Sequence, residues 1–198
     1  MGDPPGEEAL EAATRALAAG LVVVLPTDTV YGVAVDPTVE GATERLFAAK
    51  DRPRAVAVAV LVADAAQAES VAGPMPDAAR RLVARFWPGA LTVVLSRRPG
   101  FDVDLGGDPA TVGVRCPAHD AVRDLCRRVG PLAVTSANRH GEPTPAAAHE
   151  VAAVVGDRVA LVLDGGECAG APSTVVDCTG AQPVVLREGA IGRRELDA

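Results

Sequence analysis

From its start, the chain alternates between two kinds of segment. In one kind the hydrophobic residues recur with a helical period, and in the other they form a short continuous run. Residues 7 to 19 carry leucine and alanine on one helical face and end at Gly20, a pattern that predicts a first helix. Residues 21–25 form a continuous, mostly β-branched run that ends at Pro26. Such a run is typical of a buried strand that leads into a loop.

The same two patterns recur to the end of the chain. Thr38 can cap a second helix that ends near Ala49. Further helices are predicted over 76–86, 120–129 and 146–155, and further strands over 56–62, 91–95, 111–115, 132–134, 159–163, 175–177 and 184–186. Interleaved helices and strands indicate an α/β fold, and the hairpin-length gap between the last two strands adds antiparallel pairing. We expect an open, twisted, mixed parallel and antiparallel sheet flanked by helices.

Length and composition indicate a soluble globular protein. A chain of 198 residues with 48% hydrophobic and 23% charged residues fits one soluble globular core, so residues 1–198 are predicted to form a single domain. The net charge of −7 argues against a large phosphate-tracking surface, so any nucleic-acid contact should be small or indirect. The longest early apolar run, residues 17–25, is too short to span a bilayer and follows acidic residues. We therefore expect a cytoplasmic protein with no membrane contact.

Metal and redox chemistry find no support in the sequence. The four cysteines are widely spaced and none belongs to a Cys-x-x-Cys pair, so we expect them to be small buried apolar side chains. The three histidines lack the spacing of a zinc site, and a structural metal is not expected. Nearly all positive charge is guanidinium, because Lys50 is the only lysine.

Polar clusters stand at the ends of several predicted strands, where an open α/β sheet normally binds its ligand. Each cluster alone has an ordinary structural interpretation as a turn, a cap or a surface charge. Together they supply hydroxyl and cationic groups without a nucleophile activated by a base, which favours binding of a polyanion. Neither a Walker phosphate loop nor a Gly-x-Ser-x-Gly elbow is present. The clusters are Thr27 to Thr29, Lys50 with Arg52, Arg115, Thr135 to Asn138, Ser173 with Thr174, and Arg187.

Eight short motifs occur in one order from about residue 10 to 195. They are PTDTVYG (26–32), KDRPR (50–54), FWPGALTVVL (86–95), TVGVRCPAH (111–119), PLAVTSANRHGEPTP (131–145), DGG (164–166), PSTVVD (172–177) and LREGAI (186–191). This series strongly resembles the YrdC-like family, and it covers nearly the whole chain.

The resemblance implies a fold and an activity. Single-domain members of the family are nucleotidyltransferases that combine L-threonine, bicarbonate and ATP into threonylcarbamoyl-adenylate and pyrophosphate, for the threonylcarbamoyladenosine modification of tRNA. It also implies Mg²⁺ accompanying ATP, with no protein ligand assigned. A transient contact with the tRNA threonylcarbamoyl transferase complex follows, since the unstable adenylate must be passed on, while direct tRNA binding is expected to be weak or absent.

Residue roles follow from the matching motif positions. The Lys-x-Arg and Ser-x-Asn signatures imply that Lys50 and Arg52 are catalytic and, with Ser136 and Asn138, bind the nucleotide phosphates. Further ATP contacts are implied for Thr111, Thr144 and Arg187, and threonine contacts for Thr29, Arg115, Val134 and Ser173. Arg115 is the natural partner of the threonine carboxylate, since a guanidinium grips a carboxylate in a bidentate fork.

Two positions depart from the family pattern. Val56 stands where relatives usually have a polar residue, and Leu61 where a histidine near the threonine sometimes occurs. Two other functions stay open at this level, namely an enzyme of the same fold that handles carbamoyl-adenylate and a non-enzymatic RNA-binding module. Pyrophosphate release that requires both threonine and bicarbonate would distinguish them.

Overall fold

A computed structural model of the chain describes residues 5–138, 142–168 and 170–197. The helices are α1 (Glu7–Ala18), α2 (Ala42–Ala49), α3 (Ala65–Ala68), α4 (Asp77–Phe86), α5 (Asp120–Val129), α6 (Ala148–Val155) and α7 (Arg193–Asp197), with a 3-10 turn at Gly156–Arg158. The strands are β1 (Val23–Leu25), β2 (Gly32–Val35), β3 (Ala59–Leu61), β4 (Leu91–Ser96), β5 (Thr111–Arg115), β6 (Leu132–Ser136), β7 (Leu161–Val162), β8 (Thr174–Asp177) and β9 (Val184–Arg187).

The strands pair into one mixed sheet. Within the described residues the order is β7-β1-β2-β6-β3-β5-β4-β8-β9. Pairs β1/β7, β3/β5 and β4/β8 are parallel, whereas the remaining neighbours are antiparallel. The predicted mixed sheet is therefore confirmed, and so is the antiparallel pairing of the last two strands. That the whole chain is a single domain stays a prediction.

Helices cover the two faces of the sheet unequally. On one face α2, α4 and α6 pack Leu46, Val83 and Val151 into the larger apolar cluster. On the other face α1 and α5 pack together and cover β1, β2 and β6, with Leu17 and Leu125 fully buried. Because successive strand residues point to opposite faces, the β4 and β5 side chains on this second face point toward the space beside α1 and α5. That space is the candidate site.

Several sequence predictions need correction. Strand β2 and the short helices α3 and α7 were not predicted, and Thr38 does not cap α2. Its amide and hydroxyl both donate to Oδ1 of Asp36, which closes a turn, and α2 begins after Gly41 at a φ of 74°. A left-handed backbone at that position favours glycine, so the chain turns there before the helix starts.

Other predicted features hold with shifted bounds. The predicted strands 21–25, 56–62 and 159–163 are each shorter in the structure, while the predicted 132–134 extends to Ser136. The four cysteines are free and buried, as expected of small apolar side chains. The stretch 99–110 is more than a surface loop, because Leu105 is buried and its carbonyl accepts a hydrogen bond from the Val58 amide. Over the described ranges, none of the helices has the length and apolar character needed to cross a bilayer.

Candidate active site

A cleft of about 420 Å³ lies on the sheet face beside α1 and α5. Its floor is built from alternate residues of neighbouring strands, and the register places Val94 opposite Gly113 and Leu61 beside Arg115. Predicted site residues that line it are Thr29, Arg52, Thr111, Arg115, Val134, Ser136, Ser173 and Arg187. The sequence placed these groups at the ends of several strands of the sheet. They lie instead across its face, because the strands run in both directions and their ends do not meet at one edge.

Arg115 closes one end of the cleft. Its Nε donates to the Gly89 carbonyl (3.0 Å), one Nη to Thr29 Oγ1 (2.8 Å) and the other to Asp28 Oδ1 (2.7 Å). Burial lowers the pKa of Arg115, and the negative charge of Asp28 opposes that shift. A guanidinium has five N–H groups, so each Nη atom keeps one for a ligand.

A second set of polar contacts lies beside this end. Thr92 Oγ1 and Ser173 Oγ are 2.9 Å apart and both residues are buried. Arg187 donates to the Ser173 carbonyl (2.8 Å) and to its hydroxyl (3.2 Å). Thr92 pairs with Val175 and Val175 pairs with Arg187, so one cross-strand row brings Arg187 close to Ser173.

The opposite end of the cleft carries Arg52 and Ser136. Arg52 Nη2 donates to the Ala57 carbonyl (2.8 Å), Nε to the Val56 carbonyl (3.1 Å) and Nη1 to Thr135 Oγ1 (3.2 Å). These bonds tie the loop after α2 to strand β6. Burial and then the charge of Arg187 lower the pKa of Arg52. Two guanidinium groups close enough to repel each other make this a strongly anion-attracting surface.

Three predicted ATP residues do not line the cavity itself. Lys50 ends α2 and is half-buried; burial and then the charge of Arg52 lower its pKa to about 8, with Asp51 opposing. Asn138 follows β6, where its amide donates to the Glu142 carbonyl (2.7 Å) and its Oδ1 accepts from Ser136. Thr144 lies on the half-buried connection to α6. None of the three lines the cavity, although Asn138 contacts Ser136 at its edge.

Val56 and Leu61, the two departures from the family pattern, differ in burial and in their position relative to the cleft. Val56 has a 46% exposed side chain outside the cavity, and the site uses only its carbonyl. Leu61 is fully buried and lines the cleft beside Arg115, where Val134 also lines it. The cleft thus has an apolar side chain next to its charged end, and Val134 lines it further along the sheet, opposite Ala59.

Sequence reasoning missed four residues that hold the site together. Thr27, Asp28 and Thr135 belong to polar clusters that the sequence analysis named as candidates. Their positions along the chain did not indicate what each of them contacts. Thr92 carried no signal, because a threonine inside an apolar strand looks like any β-branched residue. The tertiary contacts described above give Asp28, Thr92 and Thr135 a partner in the cleft, and Thr27 Oγ1 lies 3.0 Å from Thr29 Oγ1.

Comparison with known proteins identifies the family. The model of the Sua5, YciO and YrdC proteins, described as "Telomere recombination", matches residues 15–189. The chain belongs to the Sua5/YciO/YrdC family. The match confirms the resemblance drawn from the eight motifs, and these relatives share the mixed sheet described above.

Relatives within the Sua5/YciO/YrdC family are similar over most of the chain. A Mycobacterium tuberculosis protein is 44% identical over 185 residues, which cover 93% of this chain and 85% of its own. A Stenotrophomonas maltophilia protein named threonylcarbamoyl-AMP synthase is 36% identical over 192 residues, covering 94% and 96% of the two chains.

A solved structure of the same family contains L-threonine. The Pyrococcus abyssi Sua5 structure complexed with L-threonine superposes with a TM-score of 0.86 at 35% identity. The match covers 95% of this chain but only 56% of the archaeal chain. This chain therefore spans little more than half the length of that Sua5 protein.

Proposed function

We propose that this protein is a threonylcarbamoyl-AMP synthase, a nucleotidyltransferase that makes threonylcarbamoyl-adenylate and pyrophosphate from L-threonine, bicarbonate and ATP. The observation that carries the proposal is one cleft with two chemically different ends. Strand β5 crosses it from Thr111 to Arg115, about 13 Å at 3.3 Å per residue. An adenylate and an amino acid can therefore meet on a single surface.

The amino acid is placed at the Arg115 end. The two N–H groups left on the Nη atoms match a carboxylate gripped in a bidentate fork. Thr29 and Ser173 offer hydroxyl groups there, and Leu61 and Val134 offer the apolar wall that a methyl group needs. Threonine has a carboxylate, polar groups that can bond to hydroxyls, and a methyl group, so it matches each of these protein groups.

The nucleotide is placed at the other end. Arg52 and Ser136 line the cavity there, and Thr111 lines it at the start of β5. Arg187 lies close enough to both Arg52 and Arg115 to interact with their charges. Lys50, Asn138 and Thr144 are assigned to the same phosphates because they match the family's motif positions. Cationic and hydroxyl donors are the groups that hold phosphate oxygens. The name of the relatives supports binding of a nucleotide, since threonylcarbamoyl-AMP contains an adenylate.

The chemistry needs positioning more than covalent catalysis. The threonine amine, once deprotonated, combines with bicarbonate to form a carbamate and water. A carbamate oxygen then attacks the α-phosphorus of ATP, the new P–O bond forms, and pyrophosphate leaves with the electrons of the broken bond. Both partners are anions, so Lys50, Arg52 and Arg187 stabilise the charge that develops as they meet.

Magnesium enters the proposal only with ATP. The residues that line the cleft include no carboxylate, and among the residues whose positions are described no cluster of three His, Cys, Asp or Glu side chains could hold a metal. Mg²⁺ prefers oxygen ligands and usually keeps water and substrate phosphates around it. The triphosphate itself is therefore the proposed carrier of the ion.

The product's fate is part of the same proposal. A mixed carbamate–phosphate anhydride hydrolyses readily, so a transient contact with the tRNA threonylcarbamoyl transferase complex would pass it on. The net charge of −7 supports weak or absent direct binding to tRNA. We propose a cytoplasmic location for the protein, since its substrates and tRNA meet there.

The testing experiment measures pyrophosphate release from ATP by the purified protein. Release should require both L-threonine and bicarbonate, and mass spectrometry should detect threonylcarbamoyl-adenylate. Release without threonine would overturn the proposal in favour of a carbamoyl-adenylate enzyme. No release, together with tight and salt-sensitive tRNA binding, would overturn it in favour of an RNA-binding module.

A further inference from the structure

Gly113 lies in the middle of the cleft floor. It is the central residue of β5, two residues from Thr111 and two from Arg115, or about 6.6 Å from each at 3.3 Å per residue. All three residues line the cleft. Gly113 therefore stands midway between the two ends of the site, at a point where the floor carries no side chain.

The fold itself does not require a glycine at this position. The backbone of Gly113 is outside the left-handed region, and a Cβ there would lie 3.4 Å from Thr92 Cγ2 and 3.9 Å from Val94 Cγ2, which are ordinary van der Waals distances. Gly32, a glycine of β2 that also lines the cleft, is different, because a Cβ there would come within 2.7 Å of Val134 Cγ2. A glycine inside a strand weakens the strand, and it often marks a place where a ligand approaches the backbone closely.

The neighbouring position on β3 is also small. Strand β3 runs parallel to β5 with Val60 paired to Val114, so Ala59 lies beside Gly113. Ala59 and Gly113 are both partly exposed and both line the cleft. Side by side they form a shallow recess, the central recess, in which no side chain is longer than a methyl group.

We infer that Gly113 keeps the central recess open for the reacting atoms, at the place where the carbamate oxygen bonds to the α-phosphorus. The inference rests on the proposed function and adds to it the position of the chemical step. As the new P–O bond forms there, the bond from the α-phosphorus to pyrophosphate breaks and its electrons leave with pyrophosphate. The charge of Arg187 interacts with those of both Arg52 and Arg115, so it also acts on an anion between those two residues.

A side chain at position 113 should disturb the joined species more than either substrate. Each substrate alone is held at its own end of the cleft and can shift away from the recess. Threonylcarbamoyl-adenylate and the transition state that leads to it span both ends, so they cannot shift in this way. A displacement of about 1 Å from the productive geometry can cost roughly 100-fold in rate.

Gly113→Ala tests this role by adding one methyl group to the recess. We expect kcat for threonine- and bicarbonate-dependent pyrophosphate release to fall roughly 10- to 100-fold, with KM for ATP and for L-threonine near their wild-type values. The midpoint of urea unfolding should stay at or above that of the wild type, because glycine weakens a strand more than alanine does. An unchanged kcat would overturn the inference. A lower unfolding midpoint would also overturn it, since the fold would then be what requires the glycine.

Two further variants accompany it. Gly113→Val adds more volume at the same point and should lower kcat further than Gly113→Ala. Gly180→Ala is the matched control, since Gly180 lies between β8 and β9 outside the cleft, has no left-handed backbone, and a Cβ there would be 3.9 Å from its nearest neighbour, the Gln182 carbonyl. A loss of kcat in Gly180→Ala equal to that in Gly113→Ala would contradict the assignment, as would a selective rise in KM for ATP in Gly113→Ala, which would place the nucleoside in the recess.

A binding measurement separates this inference from the proposed function. The probe is a stable analogue of threonylcarbamoyl-adenylate in which a sulfamoyl group replaces the phosphate. Calorimetry should find that Gly113→Ala binds this analogue at least about tenfold more weakly than the wild type, while AMP and L-threonine bind both proteins equally. Equal affinities for the analogue would overturn the inference alone. A wild-type protein that releases no pyrophosphate with threonine and bicarbonate would overturn the proposed function.

Discussion

Asp28 Oδ1 accepts a hydrogen bond of 2.7 Å from an Nη atom of Arg115, and the two side chains are only 15% and 7% exposed. The pair is buried directly behind the cleft, so it holds the guanidinium that faces the ligand. Removing one partner of such a pair leaves an uncompensated buried charge. The pair therefore couples stability to binding of the amino acid.

The first prediction concerns Asp28. Asp28→Ala should lower the free energy of unfolding by about 3–5 kcal/mol, because Arg115 loses its charged partner. Asp28→Asn retains an acceptor oxygen, so it should fold and show a raised KM for L-threonine. Urea unfolding and steady-state kinetics measure the two effects. Glu11→Gln, which breaks the exposed pair with Arg15, should cost less than about 1 kcal/mol; an equal loss would contradict the account.

The second prediction concerns the charge of Lys50. With its pKa lowered to about 8, this lysine is about half neutral at pH 8, and a bound triphosphate favours the charged form. ATP binding at pH 8 should therefore take up as much as about half a proton. Titration calorimetry in buffers of different ionisation enthalpy measures this uptake, which Lys50→Arg should abolish. Equal uptake by both proteins would exclude Lys50 as its source.

The lowered pKa of Lys50 also makes the free energy of unfolding depend on pH. The unfolded chain binds more protons than the folded one between pH 8 and the ordinary lysine value near 10.4. The contribution of Lys50 to stability therefore rises with pH across that window. Below pH 8 both states are protonated and its contribution does not change.

The third prediction concerns Thr174, which ties β8 to the segment after Arg187. Its hydroxyl donates to the Ile191 carbonyl (2.7 Å) and accepts from the amides of Gly189 (2.9 Å) and Ile191 (3.1 Å). Thr174→Val should lower the free energy of unfolding by at least about 1–3 kcal/mol, because buried backbone groups lose their partner. Thr179→Val, at an exposed threonine, is the control in denaturant unfolding; a loss there of the same size would refute the explanation.

The fourth prediction distinguishes the contributions of Val56 and Thr135, which both bond to Arg52, to ATP binding. Val56 contributes only its carbonyl, so Val56→Asn should leave KM for ATP unchanged despite the family preference for a polar residue. Thr135→Val removes the hydroxyl that accepts from Arg52 and should raise KM for ATP roughly 3- to 10-fold. Steady-state kinetics at saturating threonine and bicarbonate measures both values. A change with Val56→Asn but not with Thr135→Val would reverse the two roles.

The local sequence pattern correctly predicted the helices and strands that have clear start and stop residues at their ends. Strand β5 and helix α5 begin and end where the sequence indicated, since Asp120 opens the helix and Gly130 follows it. Strand β2 has only four residues, and it exists because β1 and β6 pair with it on both sides. Pairing between distant segments is not encoded in local periodicity.

The sequence by itself determined the order of motifs, and with it the family, the mixed sheet and the inventory of hydroxyl and guanidinium groups. It could not determine which of these groups meet. Asp28 and Arg115 are 87 residues apart, and Arg52 and Thr135 are 83 apart; strand register and direction bring each pair into contact. Only the tertiary structure decided that the site lies on the sheet face, because the direction and register of the strands determine which side chains share a surface.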